Sequence, residues 1–120
     1  MSLNRLIAHL DHIQQAGSEI RQFLQGADKA AFSNSVEKQR AVGMNLTLIG
    51  EAAARIEQEY PEFVVDHPDL PWHVMRDFRN RIAQGYFDIE STALWDLAHT
   101  SLPGLLLQLD SIRHWRAEGE

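Results

Sequence analysis

The chain has 120 residues, of which 44% are hydrophobic and 23% charged, and its formal net charge is -6 at pH 7. That length fits one compact domain over residues 1–120, able to bury roughly two thirds of the surface its unfolded chain exposes. The absence of cysteine excludes disulfides and thiolate metal sites. The acidic balance argues against nucleic-acid binding by the whole surface, because phosphate neutralisation needs clustered Lys and Arg. No apolar run approaches the ~20 residues that cross a bilayer, and no apolar N-terminal stretch flanked by positive charge announces secretion. The expected setting is the cytoplasm, with no membrane contact. Lys29 and Lys38 are the only lysines, so the other nine of the eleven cations are arginines. Arginine is the side chain suited to two-pronged contacts with phosphate or carboxylate.

Taken in chain order, the hydrophobic spacing is helical almost throughout, and no alternating strand pattern occurs. Leu3, Leu6, Leu10, Ile13, Gly17, Ile20 and Leu24 fall at steps of three and four, between Ser2 as a cap and Gly26 as a stop. This predicts one long amphipathic helix. A loop carrying "SNS" follows, and then Val42, Leu46, Ile49, Ala53, Ile56 and Tyr60 repeat the pattern until Pro61 ends it. Beside that seam run Gly43, Thr47, Gly50 and Ala54, a strip of small residues that lets another helix approach closely. Packing within the chain and contact with a second copy both fit it. Residues 61–71, "PEFVVDHPDLP", hold three prolines and read as a connector, with Asp69 placed to cap the next helix and Pro71 in its first turn. A third helix starts near Trp72, with Gly85 as its terminator. A fourth begins after Asp88 with Leu94, Ala98, Leu102, Leu105, Leu109 and Ile112 on one face, and Pro103 is expected to kink or break it. The predicted fold class is all-α: an up-and-down bundle of four to five helices.

The third helix carries the stretch that draws chemical interest, "RDFRNRIAQGYFDIE" over residues 76–90. At about 100° per residue, Arg79 and Tyr86 nearly share a face, whereas Gln84 lies about 140° round from Arg79. Gln84 instead stacks above Asn80, with Arg76 and Asp77 a further turn back. A site that uses all of them therefore needs the helix to unwind near Gly85, or a second chain to supply the missing face.

"LIGEAAARI" on the second helix and "LPWHVMRDFRNRIAQGYFDIESTALW" after it resemble the HepT-like branch of the HEPN superfamily. These are the helical toxin halves of HEPN/minimal-nucleotidyltransferase toxin-antitoxin pairs, of the type VII kind. The close match spans about residues 48–97, and the helical plan spans the chain. The family's signature is Arg, four residues, His, any residue, Tyr, commonly with Asn after the Arg and Gly before the Tyr. Arg79, Asn80, Gly85 and Tyr86 fit it, and Gln84 stands where the His belongs. Arg and Tyr seven apart occur by chance; the Pro-Trp entry and the Tyr-Phe-Asp-Ile exit make the match specific.

The resemblance implies a ribonuclease that needs neither metal nor cofactor and works as a homodimer, with two copies of the motif lining one RNA cleft. It also implies a cognate nucleotidyltransferase antitoxin that silences the toxin by adding AMP to the motif tyrosine. By position, Arg79 is the phosphate ligand, Asn80 orients or binds, and Tyr86 is both substrate contact and modification target. Arg76 and Arg81 are further candidates for RNA or phosphate contact. Without the resemblance, the arginines read as a solvated helix face paired with nearby acids, and Tyr86 as a half-buried aromatic.

Gln84 bears directly on activity. A glutamine amide donates and accepts hydrogen bonds but does not titrate near neutral pH, so it does not replace imidazole as an acid or base. Loss of such a group costs about 10²- to 10⁴-fold. Weak or absent cleavage is therefore expected. Three readings stand open: a natural inactive relative, a substitution introduced or selected against toxicity, or residual activity through Arg79 and Asn80. The alternative function is a non-catalytic HEPN module that binds RNA, a nucleotide or a nucleotidyltransferase. His73 lies within about 20° of the face of Gln84 but about 16 Å along the helix. Trp72 and Trp95 read as core, and His9 and His12, three apart without a third ligand, read as ordinary histidines. Glu51 is either a buried acid facing the arginine cluster or, within "IGEAA", part of a helix-packing element.

Overall fold

The computed structural model describes the backbone of residues 3–84 and 91–119 and the side chains of residues 3–82 and 91–112. Every described element is helical: α1 (Leu3–Leu24), α2 (Lys29–Ser33), α3 (Val36–Glu59), α4 (Pro61–Asp66), α5 (Trp72–Gln84), α6 (Ser91–Asp96), a π turn (Leu97–Ser101) and α7 (Leu102–Gly119). The all-α bundle expected from the sequence is the fold. No described helix is long and apolar enough to cross a membrane.

The two long helices form the frame. α1 buries Leu6, Leu10, Ile13 and Ile20, and α3 buries Val42, Leu46, Ile49, Ala53 and Ile56, as the three-and-four spacing requires. The outer ends of the α1 stripe are less buried, with Leu3 51% exposed and Leu24 only packed against the core. Between the two helices Asn45, the one buried polar residue among those described, donates to the Ala16 carbonyl at 3.1 Å and to Glu19 Oε1 at 2.8 Å. These bonds satisfy an amide that would otherwise cost free energy in the core, and they fix the register of α1 against α3.

The short helices stand where the sequence suggests loops. α2 is five residues long, too short to persist alone in water. It holds because Asp28 accepts the Ala31 N–H at 2.8 Å and because Phe32, fully buried, packs 5.6 Å from the Trp95 ring. Burying such a side chain contributes about 1.5–3 kcal/mol. Ser35 then caps α3 by accepting the Lys38 N–H at 3.1 Å. The proline-rich connector contains α4, whose first residue, Pro61, supplies a preset φ and lacks only an N–H that the first turn leaves unpaired. α5 opens with Pro71, not Asp69, at the cap position: the Pro71 carbonyl accepts the Met75 N–H at 3.0 Å. Trp72 is buried and donates its indole N–H to the His67 carbonyl at 3.0 Å, which ties the connector to α5.

Pro103 neither breaks nor sharply ends the last long helix. The chain passes from α6 to α7 through the π turn, in which the Leu102 N–H donates to the Leu97 carbonyl. A proline removes one helical donor and crowds the carbonyl four residues back, here that of His99, and a wider turn relieves both. Leu94, Ala98, Leu102, Leu105 and Leu109 remain buried on one side, joined by Leu106, while Ile112 is half-buried.

Candidate functional site

α5 packs along α3 through Trp72, Met75, Phe78 and Ile82, all buried. The crossing is closest at Gly50: a Cβ there would lie 2.5 Å from Arg79 Cβ and 2.8 Å from the Met75 carbonyl oxygen. Only glycine permits that approach. The small-residue strip thus serves packing within the chain at this position. Elsewhere along it, the Thr47 hydroxyl bonds the Gly43 carbonyl of its own helix at 2.9 Å.

The residue after Gly50 meets the signature arginine. Glu51 Oε1 lies 2.9 Å from Arg79 Nε, with the two side chains 45% and 44% exposed. Engagement at Nε leaves the two Nη groups of the fork unused by this contact. One turn earlier, Arg76 Nε is 3.3 Å from Glu57 Oε1, within ion-pair reach but without hydrogen-bond geometry. Two arginines of α5 therefore face two carboxylates of α3. Arg81, about 200° round from Arg79 on a regular helix, does not join them. It lines a separate cavity with residues of α6 and the π turn.

Asn80 is exposed beside Arg79. His73 is exposed and sits 3.7 Å from Asp77 on its own helix. α5 stays helical through Gln84, so unwinding does not occur before that position and the angle of about 140° between positions 79 and 84 stands. The Gln84 side chain, Gly85 as terminator and Tyr86 lie outside the described residues, as do Ser2 as a cap and the start expected after Asp88. Trp72 belongs to the core, and Trp95 packs against it. His9 Nε2 pairs with Glu59 at 3.2 Å, and Arg5 pairs with the same carboxylate at 3.1 Å. Among the described residues no cluster of three metal-ligating side chains occurs.

Glu51 faces the arginines as one reading of the sequence had it, but half-exposed and not buried, whereas Glu57 was not anticipated as an arginine partner. Gly50 brings α5 close at the residue before Glu51, and such close approach puts the neighbouring side chain within reach of the facing helix. A groove of about 580 Å³ between α1 and α3, lined by His12, Leu48, Glu51 and Arg55 among others, carried no signal, because its two walls lie far apart in the chain.

The fold is an all-α bundle in which an arginine of α5 meets a carboxylate of α3. Comparison with known proteins narrows it. The chain matches the family described as Ribonuclease HepT-like over residues 13–112. It is 27% identical over 105 residues to the "Probable ribonuclease HepT" of Thermococcus cleftensis, covering 88% of this chain and 93% of that protein. It is also 27% identical over 112 residues to a protein of Methanocaldococcus jannaschii whose name likewise describes an RNase, covering 93% and 100%. A similarly named protein of Caldanaerobacter subterraneus is 25% identical over 104 residues, covering 87% and 90%. No solved structure matches with significance. The chain belongs to the Ribonuclease HepT-like family, and its function is of the ribonuclease type.

Proposed function

We infer that the protein is the toxin subunit of a HEPN/minimal-nucleotidyltransferase pair, acting on RNA as a homodimer whose two motif-bearing helices line one cleft. The observation that carries this reading is the Glu51–Arg79 contact at the Gly50 crossing. It engages the signature arginine at Nε while the side chain stays 44% exposed, which leaves it accessible to a phosphate.

In the cleavage step the RNA 2′-oxygen bonds to the adjacent phosphorus as the bond to the 5′-oxygen breaks, leaving a 2′,3′-cyclic phosphate and a 5′-hydroxyl. Arg79 stabilises the charge that gathers on the non-bridging oxygens, and Asn80 beside it orients the phosphate. A proton must leave the 2′-hydroxyl and another must reach the departing oxygen. The motif position for that work holds Gln84, which does neither, so cleavage by this chain is weak or absent. Silencing by the nucleotidyltransferase joins the Tyr86 phenol oxygen to the α-phosphorus of ATP, with pyrophosphate leaving.

Two experiments test the reading. The chain and its Gln84→His variant are compared for growth arrest and RNA cleavage on induction, with Arg79→Ala in the His background as control. Toxic cleavage by the His variant alone is the expected result; if neither version cuts RNA, the non-catalytic binding module replaces this reading. In the second experiment, incubation with the cognate nucleotidyltransferase and ATP adds one AMP mass, absent in Tyr86→Phe. Light scattering should give a dimer, and a monomer at working concentration would rule out the shared cleft.

A further inference from the structure

The side of α5 opposite Glu51 carries a second constellation that the cleavage chemistry does not use. Arg81 lines a cavity of about 400 Å³ together with Thr92, Asp96, Leu97, Thr100 and Ser101. That volume falls within the range of about 300–1,000 Å³ typical of small-molecule sites. Arg81 and Asp96 both line it, and no ion pair joins the two across it. Asp96 ends α6 and runs into the π turn with helical backbone angles, φ -64° and ψ -42°. The π turn shapes this wall. Thr100 and Ser101 of the π turn line the cavity beside Arg81 and the α6 residues Thr92 and Asp96.

The chemistry of these groups selects a ligand. A guanidinium with hydroxyl donors suits one phosphate. A carboxylate beside it repels polyanions but accepts a hydrogen bond from a ribose 2′-hydroxyl, as acidic residues do in nucleotide sites. Leu97 adds an apolar surface. We propose that the Arg81–Asp96 cavity is a subsite for one nucleoside 5′-monophosphate unit, with phosphate at Arg81 and the hydroxyls, and ribose at Asp96. The inference rests on the RNA and AMP reading above for the source of that unit, either a nucleotide of the RNA strand or the adenylyl group on Tyr86. The cavity supplies its chemistry independently.

The test measures binding by isothermal titration of the full chain with 5′-AMP, inorganic phosphate, adenosine, 2′,3′-dideoxyadenosine monophosphate and a single-stranded RNA. Arg81→Ala and Asp96→Ala are compared with the unaltered chain, with helical content and melting checked by circular dichroism. 5′-AMP should bind more tightly than phosphate or adenosine, and Arg81→Ala should weaken it about tenfold or more, the loss expected for a charge-assisted contact. Asp96→Ala should abolish the preference for AMP over its dideoxy analogue. If only RNA binds and Arg81→Ala weakens it by the same factor, the unit is read within a strand; if AMP binds alone, the adenylyl group is the source. Absence of both ligands, or binding indifferent to Arg81, overturns the proposal. Because binding is read without cleavage, failure of Gln84→His to cut RNA would sink the toxin reading and leave this result standing.

Discussion

The two sides of α5 treat the same residue type in opposite ways. Toward α3, Arg79 and Arg76 each meet a carboxylate, and a glycine brings the backbones together so that Arg79 has one side fixed. Toward α6 and the π turn, Arg81 and Asp96 face one cavity without closing on each other. The first arrangement pairs the charges and the second leaves Arg81 and Asp96 lining one cavity without an ion pair between them. Three arginines within six residues are therefore not one basic patch. Helical rotation divides them, and the neighbours on each side decide what each does.

The largest effect should come from the end of α5. Restoring imidazole with Gln84→His is expected to raise RNA cleavage by about 10²- to 10⁴-fold. It should also introduce a pH dependence centred near the ordinary histidine value of about 6.5. A flat pH profile in an active variant would mean that position 84 moves no proton.

Stability should separate two glycines of α3. Gly50→Ala drives a methyl into Arg79 and the Met75 carbonyl and should destabilise by about 1–3 kcal/mol. Gly43→Ala, whose Cβ meets nothing within 4 Å, should stabilise by about 0.5–1 kcal/mol from helix propensity. Urea midpoints at unchanged slope read both. Equal effects at the two positions would show that the α3–α5 crossing is not set at Gly50.

A finer cut is made by Glu51→Gln in the Gln84→His background. Both partners of the pair are nearly half exposed, so solvent screening holds its stability contribution below about 1 kcal/mol. Activity should nonetheless fall about tenfold through loss of steering, in kcat more than in KM. Unchanged kcat would reduce Glu51 to a surface ion pair. Smallest of all, Glu57→Gln should change stability by less than about 0.5 kcal/mol and activity by less than about twofold, because its contact with Arg76 lacks hydrogen-bond geometry.

Much of this architecture was legible in the residues themselves. The stripes of α1 and α3 appear in the structure almost residue for residue, because a buried helical face leaves a period that any chain reader can count. α2 and α4 were not legible: Phe32 and Pro61 stabilise short helices only when a core exists to receive the first and a preceding helix end exists to continue from. Pro103 signalled disruption correctly, but the π turn that absorbs it depends on keeping Leu94, Ala98 and Leu102 on the core side. The choice between roles for Glu51 was resolved by distance, since packing at Gly50 and pairing with Arg79 occur together.

By itself the sequence determined an all-helical chain, its long amphipathic faces, and a HepT-like motif with glutamine at the histidine position. These are local or periodic properties, written in neighbours a few residues apart. Only the tertiary structure decided that Arg79 is steered from α3, that Arg76 has Glu57, and that Arg81 shares a cavity with Asp96. Each of those pairs joins residues on different helices, and such a contact exists only once burial has fixed how the helices cross.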